Sequence, residues 1–324
     1  MLGQYYIKVS NKRVSFEIKI KRSVTIIRGY SGTGKSTFIN MLESALTETV
    51  TGITLNTDYD RNKIEVIRNS RQIEYVIRSA EKNKIFVMDE NVDLEKYIYF
   101  VEYLKTSGSY LVYITRKNRT GLLQFSVDEI YTFNSKTNNN YTTVNMYPKY
   151  PDVDMVVVPD IIVTEDSNSG HDIIEHIVNI PVESSDGKDN VANMINDIRD
   201  KGYSSVYVIV DCAAFGNCIE KVLALGAHVC RIESFEYMML NTYVFGKFLN
   251  NELTETYLYA ESSCYYTWEQ YYTALLQELC KKFPNCSYRK DTWNRLNAMF
   301  KADRFLDDIA GQLKDLDESV KTVQ

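Results

Sequence analysis

A short glycine-rich segment holds residue types that can bind phosphate. Residues 29–36 read Gly-Tyr-Ser-Gly-Thr-Gly-Lys-Ser. Glycines let successive backbone N–H groups curl around an anion, where a Cβ would collide or forbid the dihedral angles. At this spacing Lys35 carries positive charge to the β- and γ-phosphates of a nucleotide, and the hydroxyl of Ser36 ligates Mg²⁺. The segment therefore predicts a phosphate-binding loop, with an ordinary glycine-rich turn as the alternative.

The flanking residues fit the same interpretation. Val24–Arg28 reads as an apolar strand that enters the loop, and residues 35–46 read as a helix whose N-terminus faces the anion. The nucleotide is predicted to be ATP. We expect it to be held by Gly29, Ser31, Gly32, Thr33, Gly34, Lys35, Ser36 and Thr37.

Two consecutive acids follow a second apolar strand. Ile85–Met88 is a run of four apolar residues, and Asp89 and Glu90 come directly after it. Asp89 is predicted to hold Mg²⁺ through water opposite Ser36, and Glu90 to polarise the attacking water. The alternative is a solvated strand end whose acids are incidental. ATP and Mg²⁺ are thus the predicted cofactors, and Lys35 and Glu90 are predicted catalytic residues.

The elements that must position these residues alternate between strands and helices. Residues 4–20 predict a β-hairpin, and residues 52–67 predict a second one around Asp58–Asn62. Helices are predicted over about 69–81 and 93–106. Further strands are predicted over Tyr110–Thr115, Asp128–Phe133 and Tyr141–Tyr147.

Residues 14–133 resemble a compact ABC-type ATPase core of the additional-strand class of P-loop NTPases. The hairpin, the phosphate loop, the Asp89-Glu90 pair and the strand Tyr110–Thr115 carry the resemblance. Arg116 stands where that family has a switch histidine, so the resemblance implies a third catalytic residue there, one that senses the γ-phosphate. No LSGGQ-like sequence lies between residues 38 and 84.

Other nucleotide-binding classes agree less well with the sequence. A GTP-binding switch protein needs an NKxD motif, and the nearest candidates, residues 115–118 and 135–138, lack its aspartate. A small-molecule kinase does not usually place Asp-Glu after an apolar strand.

A second domain is predicted after Pro148 and Pro151, where the strand and helix pattern restarts. Strands are expected over 155–163, 205–210 and 228–232, and helices over 170–179, 189–200 and 216–225. The predicted fold class is α/β: a P-loop NTPase core over 1–150, a smaller α/β domain over 151–248 and a helical C-terminal region over 249–324.

Two acids of this second domain follow strands. Glu165 follows residues 161–164, and Asp211 ends the strand that begins at Val206. This layout is similar to the TOPRIM fold, and the domain order is similar to that of OLD-type nucleases, so the resemblance implies that Glu165 and Asp211 bind Mg²⁺. The family's second aspartate is replaced by Ala213. Three interpretations stay open: a degenerate TOPRIM-like domain, an active metal nuclease in which Asp166, Glu220 or Glu233 substitutes, and an unrelated flavodoxin-like module.

Charge and composition restrict the partners. Residues 1–150 hold 22 Lys and Arg against 15 Asp and Glu, whereas residues 151–324 hold 15 against 28. The acidic half argues against nonspecific docking onto nucleic acid and suits Mg²⁺ or a basic protein surface. No apolar run approaches the roughly 18 residues of a membrane span. The N-terminus has no apolar core of signal-peptide length, so the chain is expected to be cytoplasmic. The six cysteines include no CxxC pair and are expected to be reduced thiols, mostly buried.

The predicted function is ATP binding and hydrolysis coupled to a conformational or assembly change. One hypothesis places this activity in nucleic-acid processing, for example in genome defence, with nucleic acid as a partner. The other is a non-nuclease sensor or scaffold, in which ATP controls self-association or assembly with an effector protein.

Overall fold

The chain divides into two compact α/β units. The structure is a computed structural model that describes all residues except 49, 51, 119, 121, 152–154, 168, 285, 287, 290–302 and 323–324. Unit 1 comprises Met1–Pro151 and Glu255–Trp268, and unit 2 comprises Asp152–Thr254 and Glu269–Gln324. Among the described residues no helix has the length and apolar character needed to cross a membrane.

Unit 1 contains one mixed sheet of nine strands in the order β4-β1-β2-β9-β8-β3-β7-β6-β5. The strands are β1 (Tyr5–Ser10), β2 (Val14–Ile20), β3 (Val24–Arg28), β4 (Thr54–Thr57), β5 (Ile64–Ile67), β6 (Ile85–Met88), β7 (Tyr110–Thr115), β8 (Ile130–Asn138) and β9 (Tyr141–Pro148). Its helices are α1 (Lys35–Thr47), α2 (Ser70–Ser79) and α3 (Ile98–Ser107).

The nine-stranded sheet is curled, as one short connection shows. The strands β4 and β5 are the two edges of the sheet, yet only residues 58–63 join them. Such a link reaches at most about 25 Å. Nine strands laid flat would put their edges about 38 Å apart. The edges must therefore approach each other, so the sheet bends around whatever lies on its concave side.

Helix α1 lies on that side, which explains its two apolar faces. It contacts β1 and β4 of the antiparallel part of the sheet and also β5 of the parallel part. Phe38 and Leu42 are fully buried in a core that joins Ile7 of β1 to Val87 of β6. Phe16 and Phe38 pack with their ring centroids 5.8 Å apart. The helix that follows the glycine loop is thus held in place from both sides.

Four parallel strands bring the predicted site residues of unit 1 to one edge. The neighbouring pairs β3–β7, β7–β6 and β6–β5 all run parallel, and β7 separates β3 from β6. Every residue of β3, β6 and β7 is buried. The carboxyl ends of parallel strands meet at the same edge of a sheet, so the glycine loop, Asp89, Glu90 and Arg116 lie along that edge.

Unit 2 contains a parallel sheet of four strands in the order β11-β10-β12-β13. These are β10 (Ile161–Thr164), β11 (Val182–Ser184), β12 (Val206–Asp211) and β13 (His228–Ile232). The chain moves from β10 to one side and then returns to the other side with β12. The remaining helices are α4 (Ser169–Ile177), α5 (Val191–Asp200), α6 (Ile219–Ala224), α7 (Phe235–Leu240), α8 (Tyr243–Gly246), α9 (Trp268–Cys280) and α10 (Asp303–Ala310).

The structure confirms the α/β fold class and corrects several elements. The second hairpin predicted over 52–67 is wrong, because β4 and β5 pair with different neighbours at opposite edges of the sheet. The strand predicted over 155–163 is shorter, since β10 covers only Ile161–Thr164 and Val157 forms an isolated bridge with Leu316. Strand β11 was not predicted: at three residues it is too short for a periodic signal. Residues 290–302 of the predicted helical C-terminal region lie outside the described residues.

Candidate functional site

The backbone of the glycine loop in unit 1 requires glycine, because a side chain at these positions would be strained or would clash. Gly32 and Gly34 both have φ of +88°, in the left-handed region that favours glycine. A Cβ on Gly34 would lie 3.0 Å from the ring of Phe16, and one on Gly29 would lie 2.9 Å from Oγ1 of Thr33. The loop leads directly into the first turn of α1, so its backbone N–H groups lie next to a helix N-terminus.

Lys35 folds its side chain back into this loop. Its Nζ donates to the carbonyl oxygens of Gly29 (2.5 Å) and Tyr30 (2.8 Å) and to Oγ1 of Thr33 (3.2 Å). Burial lowers the pKa of Lys35; the carboxylate of Glu90 opposes this shift and the guanidinium of Arg116 adds to it. All three ammonium protons are thus satisfied by the loop itself, and Glu90 and Arg116 lie within electrostatic reach.

Asp89 is buried just after β6 and is held by hydrogen bonds with Ile67 and Asn91. Its N–H donates to the carbonyl oxygen of Ile67 at 2.9 Å. Its Oδ1 accepts hydrogen bonds from the backbone N–H and the side-chain amide of Asn91, at 3.1 and 2.8 Å. Its Oδ2 lies 4.0 Å from Nη1 of Arg68. The carboxylate therefore has a fixed orientation.

Glu90 and Arg116 form a two-pronged ion pair. Nε and Nη2 of Arg116 donate to the two carboxylate oxygens of Glu90 at 2.9 and 2.8 Å. Such fork-to-carboxylate geometry is among the stronger ion-pair arrangements. The side chain of Arg116 remains 56% exposed. The sequence predicted a role for each residue but did not predict that they contact each other.

The predicted nucleotide-binding residues are thus close together along one edge of unit 1. Ser31, Ser36 and Thr37 are exposed there, and the Oγ1 of Thr33 donates to the carbonyl oxygen of Tyr30 at 3.1 Å. Ser36, the predicted Mg²⁺ ligand on α1, has an accessible hydroxyl. Arrangements of this kind, with a cation, an anion-binding loop and two neighbouring carboxylates, can bind a metal–phosphate group.

Unit 2 has a cavity of about 160 Å³ at the carboxyl ends of β10 and β12. The sheet reverses its order between these two strands, and ligands of open α/β sheets bind at such positions. One wall is apolar and includes Ile209 and Phe235. Glu165, Asp166, Asp211 and Glu269 also line it.

Three carboxylates approach one another beside this cavity, and a fourth, that of Glu165, contacts the backbone of one of them. The backbone N–H of Asp211 donates to Oε2 of Glu165 at 3.0 Å. Carboxylate oxygens of Asp211, Glu236 and Glu269 lie within 4.8 Å of one another. The acid cluster is defined here as Glu165, Asp211, Glu236 and Glu269. The backbone N–H of Phe235 donates to Oδ1 of Asp211 at 2.9 Å, and the hydroxyl of Tyr288 donates to Oε1 of Glu236 at 2.8 Å.

Burial changes the acidity of one member of the acid cluster. It raises the pKa of Glu165 to about 7, against the opposing hydrogen bond from the backbone N–H of Asp211. The charge of Glu269 adds to the shift and that of Lys188 reduces it. Glu165 therefore changes its charge near neutral pH, as perturbed carboxyls in clefts often do.

The acids that cluster with Asp211 are not the ones that the sequence suggested as substitutes, which were Asp166, Glu220 and Glu233. Asp166 uses both carboxylate oxygens to accept the backbone N–H groups of Gly170 and His171, each at 3.1 Å, at the start of α4. Ala213 is buried. Glu236 and Glu269 instead each place a carboxylate oxygen within 4.8 Å of one from Asp211. Both occupy the first turn of a helix, where acids are common because they favour the helix dipole, so the sequence offered no distinct signal.

Comparison of the chain with family models, characterised proteins and solved structures finds no match.

Proposed function

We propose that the chain is a P-loop ATPase that binds ATP and Mg²⁺ at the glycine-loop edge of unit 1. The proposal rests on one observation above all: the loop after β3 leads directly into Lys35, the first residue of α1, and Asp89 and Glu90 follow β6, which is two strands away from β3. The intervening strand, β7, ends beside Arg116. This order is the one expected for the additional-strand class that the sequence resembles.

Mg²⁺ fits the oxygen donors at this edge. Ser36 offers an exposed hydroxyl, and Asp89 offers a carboxylate whose other oxygen is fixed by Asn91. Mg²⁺ prefers oxygen ligands, retains several waters and is often bound by one carboxylate together with phosphates. When bound, the ion neutralises the charge that develops on the phosphates.

Lys35 has a specific task in the proposed reaction. Its ammonium now donates to loop carbonyls, and phosphate oxygens offer stronger, charge-assisted acceptors at the same place. Glu90 would orient or deprotonate the attacking water. In the structure Glu90 is held by Arg116, so a γ-phosphate that attracts Arg116 would change the position of Glu90. We propose that this exchange couples the nucleotide state to a conformational or assembly change, through self-association or a protein partner.

Titration calorimetry with ATP and Mg²⁺ tests the proposal. Lys35→Ala removes the ammonium and touches no core contact of the sheet, so we expect measurable ATP affinity to be lost while the thermal unfolding transition stays cooperative. Lys105→Ala, which removes an ion-paired lysine of α3, is the matched control and should bind as the wild type does. Wild-type affinity in Lys35→Ala would overturn the assignment.

A second candidate function belongs to unit 2: metal-dependent cleavage of a phosphodiester. It is favoured by the convergence of Asp211, Glu236 and Glu269 at the cavity, because paired-metal hydrolysis needs several carboxylates close together. The position of Ala213 alone had argued for a degenerate site. Glu236 and Glu269 provide two further carboxylates near Asp211, where Ala213 replaces the expected aspartate.

Cleavage assays separate this function from a sensor or scaffold role. We expect the purified chain to cleave DNA or RNA weakly in Mn²⁺, since unit 2 is acidic and repels a polyanion. Asp211→Asn and Glu269→Gln should both abolish that cleavage, whereas Glu220→Gln should not. Absence of cleavage in the wild type, with an intact response to ATP, would support the sensor or scaffold role.

A further inference from the structure

An arginine lies beside the predicted Mg²⁺ ligand of unit 1. Arg68 directly follows β5, the strand next to β6, and its Nη1 lies 4.0 Å from Oδ2 of Asp89. This oxygen is the one that Asn91 does not engage, because both hydrogen bonds from Asn91 go to Oδ1. Arg68 thus faces the oxygen through which Asp89 would bind Mg²⁺ or a water of its hydration shell.

Helix α1 holds Arg68 in this position. Its Nη2 donates to Oδ1 of Asn40 at 2.6 Å and lies 2.9 Å from Oε2 of Glu43. Asn40 is four residues after Ser36 and therefore lies one turn along the same face of α1 as the predicted serine ligand. The side chain of Arg68 is only 29% exposed. The guanidinium is therefore fixed next to the face of α1 from which Mg²⁺ would be bound.

We propose that Arg68 weakens Mg²⁺ binding at Asp89 and so makes ATP binding less dependent on the metal. The inference rests on the proposed function of unit 1. Arg68 is a positioning residue here: it contacts Asp89 and α1, and it acts on the metal through charge.

The electrostatic reason is repulsion between two cations that share one carboxylate. Glu43 offsets part of the charge of Arg68, but that side chain is 41% exposed and is well solvated. A single and a double positive charge a few ångströms apart in a solvated site change an equilibrium constant by a factor on the order of ten. The same guanidinium adds positive charge near the phosphates, which favours ATP without the metal.

Mg²⁺ dependence of ATP binding measures this effect without any turnover. For each variant we would determine the dissociation constant of ATP in excess EDTA and in excess Mg²⁺. The ratio is the EDTA value divided by the Mg²⁺ value, so a larger ratio means a stronger dependence on the metal. We expect Arg68→Gln to raise this ratio about tenfold over the wild type. Arg68→Lys keeps the charge and should stay close to the wild-type ratio. Arg78→Gln, an exposed arginine on α2, is the control and should leave the ratio unchanged.

The outcomes distinguish this inference from the proposed function. If the wild type binds ATP and Arg68→Gln has a ratio within twofold of it, or lower, the inference is overturned while the ATPase proposal stands. If Arg68→Lys raises the ratio as much as Arg68→Gln does, charge is not the cause, and the inference is again overturned. If the wild type binds no ATP with or without Mg²⁺, both fail together. ATP binding by each variant in EDTA also shows that the variant is folded.

Discussion

The two candidate sites lie at similar places in their sheets but group different charged residues. Each lies at the carboxyl ends of parallel strands. At the glycine-loop edge the acids lie beside cations: Glu90 pairs with Arg116, and Asp89 lies beside Arg68. In the acid cluster of unit 2, carboxylate oxygens of Asp211, Glu236 and Glu269 lie within 4.8 Å of one another.

This difference indicates what each site requires of a ligand. At the glycine-loop edge each acid already lies beside an arginine, so a ligand must replace one partner of these ion pairs. A metal–nucleotide complex can do so because it carries both positive and negative charge. The acid cluster places carboxylates close together, and burial, with a smaller contribution from the charge of Glu269, raises the pKa of Glu165. Protonation or a divalent cation would reduce the repulsion between these neighbouring carboxylates. The contrast predicts a switch-like site in unit 1 and a site in unit 2 that responds to pH and metal.

Removing the proposed catalytic carboxylate should give the largest effect. Glu90→Gln should slow ATP turnover by about 10²–10⁴-fold, because loss of a general base or water-orienting group costs that much. ATP affinity should stay within about threefold of the wild type, since Lys35 and the loop make the phosphate contacts. Glu95→Gln, an exposed acid a few residues later, is the control. Unchanged turnover in Glu90→Gln would show that Glu90 does not act on the water.

The pKa of Glu165 predicts a pH-dependent gain in stability on substitution. The folded-state pKa, about 7, lies above the ordinary value of 4.5, so ionisation of Glu165 opposes folding. Its contribution is favourable below about pH 4.5 and is lost as the pH rises through 7. In EDTA, Glu165→Gln should therefore stabilise the protein by about 1–3 kcal/mol at pH 8 and by little near pH 4.5.

Urea unfolding at the two pH values measures this gain. Glu183→Gln, an exposed acid on β11, should show no such pH dependence. Equal destabilisation of Glu165→Gln at both pH values would contradict the raised pKa and would remove the contrast between the two sites.

The pairing of Glu90 with Arg116 predicts a smaller, non-additive effect. Arg116→Ala should slow ATP turnover about tenfold, since the proposed exchange of Arg116 between Glu90 and the γ-phosphate is lost. In the double variant with Glu90→Gln, turnover should be no slower than in Glu90→Gln alone, because residues that act as a unit are not additive. Lys117→Ala, which breaks the neighbouring ion pair with Asp93, is the control. Multiplicative losses in the double variant would mean that the two residues act independently.

The sequence by itself determined the parts of the fold whose signals are local. The spacing of Gly29, Gly34 and Lys35 and the apolar runs Val24–Arg28 and Ile85–Met88 predicted a strand, loop and helix and a second strand ending in acids. The structure has each of these elements. Their signals depend on residues adjacent in the chain, because backbone freedom, helix capping and strand burial are decided within a few residues.

The tertiary structure decided which distant residues meet. The turn residues near Asp58 suggested a hairpin, yet burial of α1 from two sides requires the sheet to curl and sends β4 and β5 to opposite edges. Likewise, Glu236 and Glu269 are each an ordinary acid in the first turn of a helix. They lie close to Asp211 only because α7 and α9 both begin near the same cavity. Such contacts arise from packing between segments far apart in the chain, and no local pattern of residue types encodes them.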